Sequence, residues 1–199
     1  MSIIYRAVSK TKRVKNKLFV PHSMMRPPGN VPYLVDNLWE WARPLEYPNR
    51  RLAAFASPTP ELAREAFGGE CNVYQVEFNA GKTNKMCQLI RSKMNQDSKF
   101  HPECKLLKKL IIKKIGNDWF SKEIIEKNKI AALWMPCMRK EDVESIFKNS
   151  ALLKNMRDEI FDSINHWHDV VLIKSSNEIP DNKGEIFFEY PDGYSLNSI

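Results

Sequence analysis

Few side chains in this sequence stand at spacings that could do chemistry. His166 and His168, in the run His-Trp-His, come first. Were that run extended, its alternate residues would share a face and both imidazoles could reach one metal ion. No carboxylate or cysteine stands at a supporting spacing, and His22 and His101 are isolated, so no metal site is expected. Cys71, Cys87, Cys104 and Cys137 form no Cys-x-x-Cys pair and have no neighbouring histidine motif. They read as reduced, mostly packed thiols rather than nucleophiles. The Gly-x-x-x-x-Gly-Lys loop, the Gly-x-Gly-x-x-Gly fingerprint and the Gly-x-Ser-x-Gly elbow are all absent, so nucleotide-loop and hydrolase readings have no anchor. Three short features remain. They are Tyr5-Arg6-Ala7, then Phe55-Ala56-Ser57-Pro58-Thr59 with Ala63 and Phe67 beyond it, and Gly184-Glu185-Ile186-Phe187-Phe188 with Pro191-Asp192-Gly193-Tyr194 behind it.

The elements that must position these residues follow from periodicity. IIYRAV (3–8) reads as a short strand, followed by the solvated basic stretch SKTKRVKNK and a proline-rich loop, LFVPHSMMRPPGNVPY. YLVDNLWEWARP is a short helix with Leu34, Leu38 and Trp41 on one face and Pro44 beyond its end, Trp39 and Trp41 serving as packing. RRLAAFAS is a strand. Thr59 then caps a helix with Pro60 at its first position and Glu61 in its first turn, running to about Phe67 and stopping at Gly68-Gly69. NVYQVEF alternates as a strand. From Lys82 to Ile164 the pattern turns helical, through MCQLIRSKM, ECKLLKKLIIKKI, FSKEIIEKNKIAALW, EDVESIFK and ALLKNMRDEIFDSI. DVVLIKS and GEIFFEY are strand-like and close the chain. The expected architecture is one α+β domain, residues 1–199, with a helical insertion at 82–164.

Composition bounds the rest. The 199 residues suffice for one substantial core, and 43% hydrophobic content suits a soluble globular protein. The start, MSIIYRAVSKTKR, lacks a signal-peptide core and no later run reaches membrane-spanning length, so a cytoplasmic protein is expected. A net charge of +7 favours anionic partners without naming one. In KLLKKLIIKKI, the lysines lie opposite an apolar stripe of Leu106, Leu107, Leu110, Ile111 and Ile112. An amphipathic core helix accounts for this, and nucleic-acid contact would be additional.

In order and context, the three features resemble the Arg-Ser-Glu class of mono-ADP-ribosyltransferases. That family has an arginine after an aromatic residue on its first strand, a Ser-x-Ser/Thr motif ending a strand before a helix, and a glutamate opening a late strand before a Pro/Gly turn. The resemblance covers three short patches and leaves out the helical middle. It implies a split-sheet core and NAD as co-substrate. It gives Glu185 the catalytic role of holding the ribose hydroxyls as the bond to nicotinamide breaks and positive charge develops. It gives NAD contacts to the Arg6 guanidinium and the Ala7 backbone, with Ser57 bracing the glutamate and the first strand, and Thr59 in a weaker supporting role. The chemistry needs no metal, so chelators should leave activity intact.

The sequence departs from the family pattern in three places. Ala7 replaces the usual glycine, Pro58 stiffens the Ser-x-Thr motif, and Lys183 stands where arginine-directed members have Glu or Gln. An acceptor other than arginine is therefore expected. Glu189 is the reserve candidate for the carboxylate. The functional expectation is transfer of ADP-ribose to a macromolecule, a protein ahead of a nucleic acid, without membrane or metal, as by an effector or toxin-like enzyme acting in its own or a host cell's cytoplasm. Two alternatives stay open: a basic nucleic-acid-binding or adaptor protein without catalysis, and a related enzyme that removes a 2′-phosphate from RNA.

Overall fold

The computed structural model describes residues 3–14, 17–22, 24–27, 29, 31–79, 85–90, 100–174 and 179–199. The expected elements at 82–84, 91–99 and Ser175, and parts of the basic and proline-rich stretches, fall outside them. The chain is α+β and divides into two compact units, one holding residues 1–25, 45–97 and 169–199, the other residues 26–44 and 98–168.

The first unit holds every strand among the described residues. β1 (Tyr5–Ser9), β3 (Cys71–Phe78) and β7 (Tyr194–Ser198) form an antiparallel sheet in the order β1-β3-β7. β2 (Ala54–Ala56), β4 (Met86–Leu89), β5 (Val170–Leu172) and β6 (Glu185–Phe188) form a second, in the order β2-β6-β4-β5. Ile4, Val8, Val76 and Leu196 from one sheet meet Ala54, Ala56, Ile186 and Phe188 from the other in a single buried core. The helix α2 (Pro60–Phe67) begins as its sequence dictates. The Thr59 hydroxyl accepts the Leu62 N–H at 3.2 Å, Pro60 takes the first turn, and Gly68 ends the helix in the left-handed conformation.

Three assignments differ from the sequence expectation. Of RRLAAFAS only Ala54–Ala56 is strand, and Arg50–Leu52 form a turn ahead of it. Met86–Leu89, expected to be helical, is a strand. A four-residue run with Cys87, Gln88 and Leu89 all buried carries no periodicity that tells helix from strand, and pairing on both flanks by β5 and β6 decides it. β7 was not anticipated, because YSLNS is polar and short. It is held by β3 on one side, with Leu196 its inward apolar residue.

The second unit is helical: α1 (Tyr33–Ala42), α3 (Phe100–Ser121, interrupted at Gly116), α4 (Ile124–Ala131), α5 (Lys140–Asn149), α6 (Ala151–Lys154) and α7 (Arg157–Asp162). Leu34, Leu38 and Trp41 of α1 are buried as their spacing requires, and Trp41 stacks on Phe147 at 4.6 Å. Asn37 is buried too. Its amide donates to the carbonyls of Leu133 and Met135, and its oxygen accepts the Met138 N–H, so the polar group is satisfied. The apolar stripe of α3 is narrower than expected. Leu107, Ile111 and Ile115 are buried, while Leu106 and Ile112 are exposed.

The run His-Trp-His is not extended. It forms a 3-10 turn in which His166 is buried and stacked on Trp39 at 4.2 Å, so the two imidazoles lack the shared face a strand would give them. No helix among the described residues is long and apolar enough to cross a membrane.

Candidate active site

The three chemistry-bearing features, far apart in sequence, are brought together by backbone pairing within the strand unit. Tyr5 and Ser57 exchange both backbone hydrogen bonds, each 2.8 Å long, so β1 is stitched to the end of β2 at the serine itself. β2 and β6 pair with Ala54 against Phe188, Phe55 against Phe187 and Ala56 against Ile186. One further step in that register sets Ser57 opposite Glu185. Arg6 follows Tyr5 on the same strand. The serine is thus the junction of the arginine strand and the glutamate strand, and it is buried.

A cavity of about 280 Å³ opens at this junction. Tyr5, Arg6 and Ala7 line it from β1, Phe55, Ala56 and Ser57 from the second strand, and Glu185 from β6. Ala63, Ala66 and Phe67 of α2 supply an apolar wall. The wall exists because residues 63, 66 and 67 fall three and four apart on one helical face. Thr59 is not among the lining residues. Its hydroxyl is spent on the cap of α2, which fixes the helix that carries the wall.

Arg6 is held from behind. One guanidinium nitrogen donates to the Tyr194 hydroxyl, and its carbon lies 5.6 Å from that ring's centroid. The Tyr194 ring is itself stacked on Phe19 at 4.9 Å. No carboxylate pairs with Arg6 among the described residues, so its other N–H groups are available to the anionic oxygens of a ligand.

Glu185 faces Arg50, with carboxylate oxygen and guanidinium nitrogen 3.7 Å apart and the two side chains only 14% and 13% exposed. The Arg50 guanidinium lies over two neighbouring aromatic rings, 5.2 Å from the centroid of Phe55 and 4.8 Å from that of Phe187, which are themselves 6.4 Å apart. Phe55 and Phe187 are directly paired across β2 and β6, so the same register that delivers Glu185 builds the platform for its cationic neighbour.

The turn that leads into Glu185 is fixed from below. The buried Gln88 amide donates to the carbonyls of Asp181 and Gly184 and accepts the Asp181 N–H at 2.8 Å. The Asp181 carboxylate in turn accepts the Lys183 N–H at 2.9 Å. A Cβ on Gly184 would lie 2.2 Å from the Leu89 carbonyl oxygen, so only glycine lets β6 start this close to β4. Lys183 is exposed. Glu189 is committed elsewhere. It accepts the Asn49 N–H at 2.8 Å and does not line the cavity.

Cys87, beside β6, is fully buried, and burial first, then the nearby Glu46, pushes its thiol up to about 12. It stays protonated near neutrality and offers no nucleophile. Arg50 and Tyr194 were missed in the sequence. The one local sign of Arg50 is the Arg50-Arg51 pair just ahead of a strand, which does not say where either guanidinium goes. Tyr194 belongs to the turn named behind the Glu185 strand, but nothing local marks it as a partner of Arg6. Compared with protein-family models, with curated proteins and with solved structures, the chain matches none.

Proposed function

We propose that the strand unit is a mono-ADP-ribosyltransferase of the Arg-Ser-Glu class with an ADP-ribosyltransferase-like split sheet. It uses NAD as co-substrate and transfers ADP-ribose to a protein acceptor at a side chain other than arginine. One observation carries the reading: Arg6, Ala7, Ser57 and Glu185 line a single cavity, although 179 positions separate the first from the last (185 less 6).

The residues present suit this co-substrate. About 280 Å³ is near the lower end for small-molecule sites and is enough for the nicotinamide and its ribose against the apolar wall of α2. In the transfer, the ribose–nicotinamide bond breaks with its electron pair leaving on nicotinamide, and an acceptor nucleophile bonds to the anomeric carbon and gives up a proton. Glu185 accepts hydrogen bonds from the ribose hydroxyls, and these strengthen as positive charge develops on the sugar. Arg50 and the turn held by Gln88 keep that carboxylate in place. Arg6, oriented by Tyr194, takes the phosphate or ribose oxygens with its remaining donors. The Lys183 ammonium, exposed two residues ahead of Glu185, repels a guanidinium acceptor and favours a neutral or anionic side chain.

The test is an NAD titration of the full chain read by backbone amide exchange. Saturable slowing at 5–7, 54–57 and 185–188, lost in Arg6→Ala, is the expected result. No change at these strands up to millimolar NAD would reject the reading.

A further inference from the structure

We propose a second binding site in the strand unit: a cationic groove along the open edge of β7 that takes an extended acidic segment of a protein partner by strand addition. It does not depend on the NAD reading, because none of its residues lines the cavity at Glu185.

The groove is large, about 960 Å³, and runs between β7 and the loop that follows β1. Its shape has a backbone cause. Phe19 pairs with the first residue of β7, the Phe19 N–H donating to the Tyr194 carbonyl at 2.8 Å and the Tyr194 N–H returning at 3.0 Å. Continued, that pairing would bring Lys17 against Leu196. Instead the Lys17 N–H turns back to the Val14 carbonyl at 3.1 Å, and the loop leaves the strand. Among the described residues, β7 therefore keeps an uncovered edge beyond Tyr194.

The direction of that edge is fixed by alternation. Tyr194 points both backbone groups away from β3, so Leu196 and Ser198, two and four residues on, point theirs the same way. The partner strand agrees, since Val76, opposite Leu196, gives its N–H to Ile4 on the far side. The open edge thus offers donors and acceptors alternately. A peptide backbone matches that pattern, whereas a phosphodiester backbone offers acceptors only.

Charge then selects the peptide. Lys12, Arg13 and Lys17 line the groove, all exposed and with no ion-pair partner among the described residues. Between them Leu18 is the exposed apolar contact for the inward side chains of an added strand, with the buried Val14 and Leu196 beneath it. Acidic residues alternating with apolar ones satisfy both.

The experiment uses the full chain and three labelled probes. One is a peptide of roughly ten residues alternating Glu and Val, a length typical of long strands. The second has the same charge but carries proline at alternate valines, which removes N–H groups from one edge. The third is a thymidine oligonucleotide of matched charge. Saturable binding of the first, with the proline probe at least about tenfold weaker, is expected. The triple variant Lys12→Glu, Arg13→Glu, Lys17→Glu should also weaken the first probe by about tenfold or more. Binding of the first probe should slow amide exchange at Leu196 and Ser198 in the parent protein, a readout that needs no variant. Equal binding of the proline probe, tighter binding of the oligonucleotide, unchanged exchange at those two amides, or no binding would each overturn the proposal.

Discussion

Replacing Arg50 by methionine tests whether the site is built as described. The substitution keeps an unbranched stem over Phe55 and Phe187 and deletes the charge that faces Glu185. At 3.7 Å the pair's gross Coulomb attraction is about 4 kcal/mol for an effective dielectric of about 20. Breaking a fully buried pair by removing one partner costs about 3–5 kcal/mol. Both side chains here keep some solvent contact, which lowers the expected loss to about 2–3 kcal/mol. All five tryptophans lie in the helical unit, so tryptophan fluorescence would miss the event. Native-state amide exchange at β2 and β6 reads it directly, and exchange there should quicken by about 30- to 150-fold. Adding Glu185→Gln should recover part of the loss, because the carboxylate that faced the deleted charge goes with it. Unchanged exchange in Arg50→Met, or strict additivity in the double variant, would refute the argument that Arg50 holds Glu185.

Three further outcomes follow from the same geometry. Gly184→Ala should force β6 away from β4 and lower stability by about 1–3 kcal/mol, seen as a reduced thermal midpoint, since the added Cβ meets a backbone oxygen that cannot move aside. Thr59→Ala should cost about 1 kcal/mol through the lost cap, with Thr59→Ser restoring most of it in urea denaturation. Cys87 carries a pH signature. Its thiol holds its proton to about 12 when folded against an ordinary value of 9.0, so the native state binds more protons and stability falls as pH rises through that interval. A denaturation series across that range should show the fall in the parent, with a slope shallower by up to about 1.4 kcal/mol per pH unit in Cys87→Ala.

The sequence made the local signals legible and left the long-range ones dark. Thr59, Pro60 and Gly68 spell out a helix through capping chemistry that needs no tertiary information, and α2 has those bounds. The spacing of Leu34, Leu38 and Trp41 likewise announces a buried helical face. Met86–Leu89 is illegible as a strand because its polar residue, Gln88, is buried and so marks no solvent face, and four residues are too few to fix a period. YSLNS is illegible as a strand because only Tyr194 and Leu196 face inward and the rest is polar, too short a run to show as alternation.

For the site, Arg6, Ser57 and Glu185 could be named because residue order survives in the chain. The structure adds that Ser57 joins its neighbours through backbone pairing with Tyr5. Arg50 could not be foreseen, since its place depends on Phe55 and Phe187 meeting across a sheet, a contact 132 positions apart (187 less 55).

The most direct test of the account is incubation of the pure protein with NAD labelled in its adenylate half in a cell lysate, beside the near-isosteric Glu185→Gln variant. The account predicts that the parent transfers label to a protease-sensitive band and that the folded variant transfers almost none. Full transfer by the variant, or no transfer and no released nicotinamide from the parent, would contradict it.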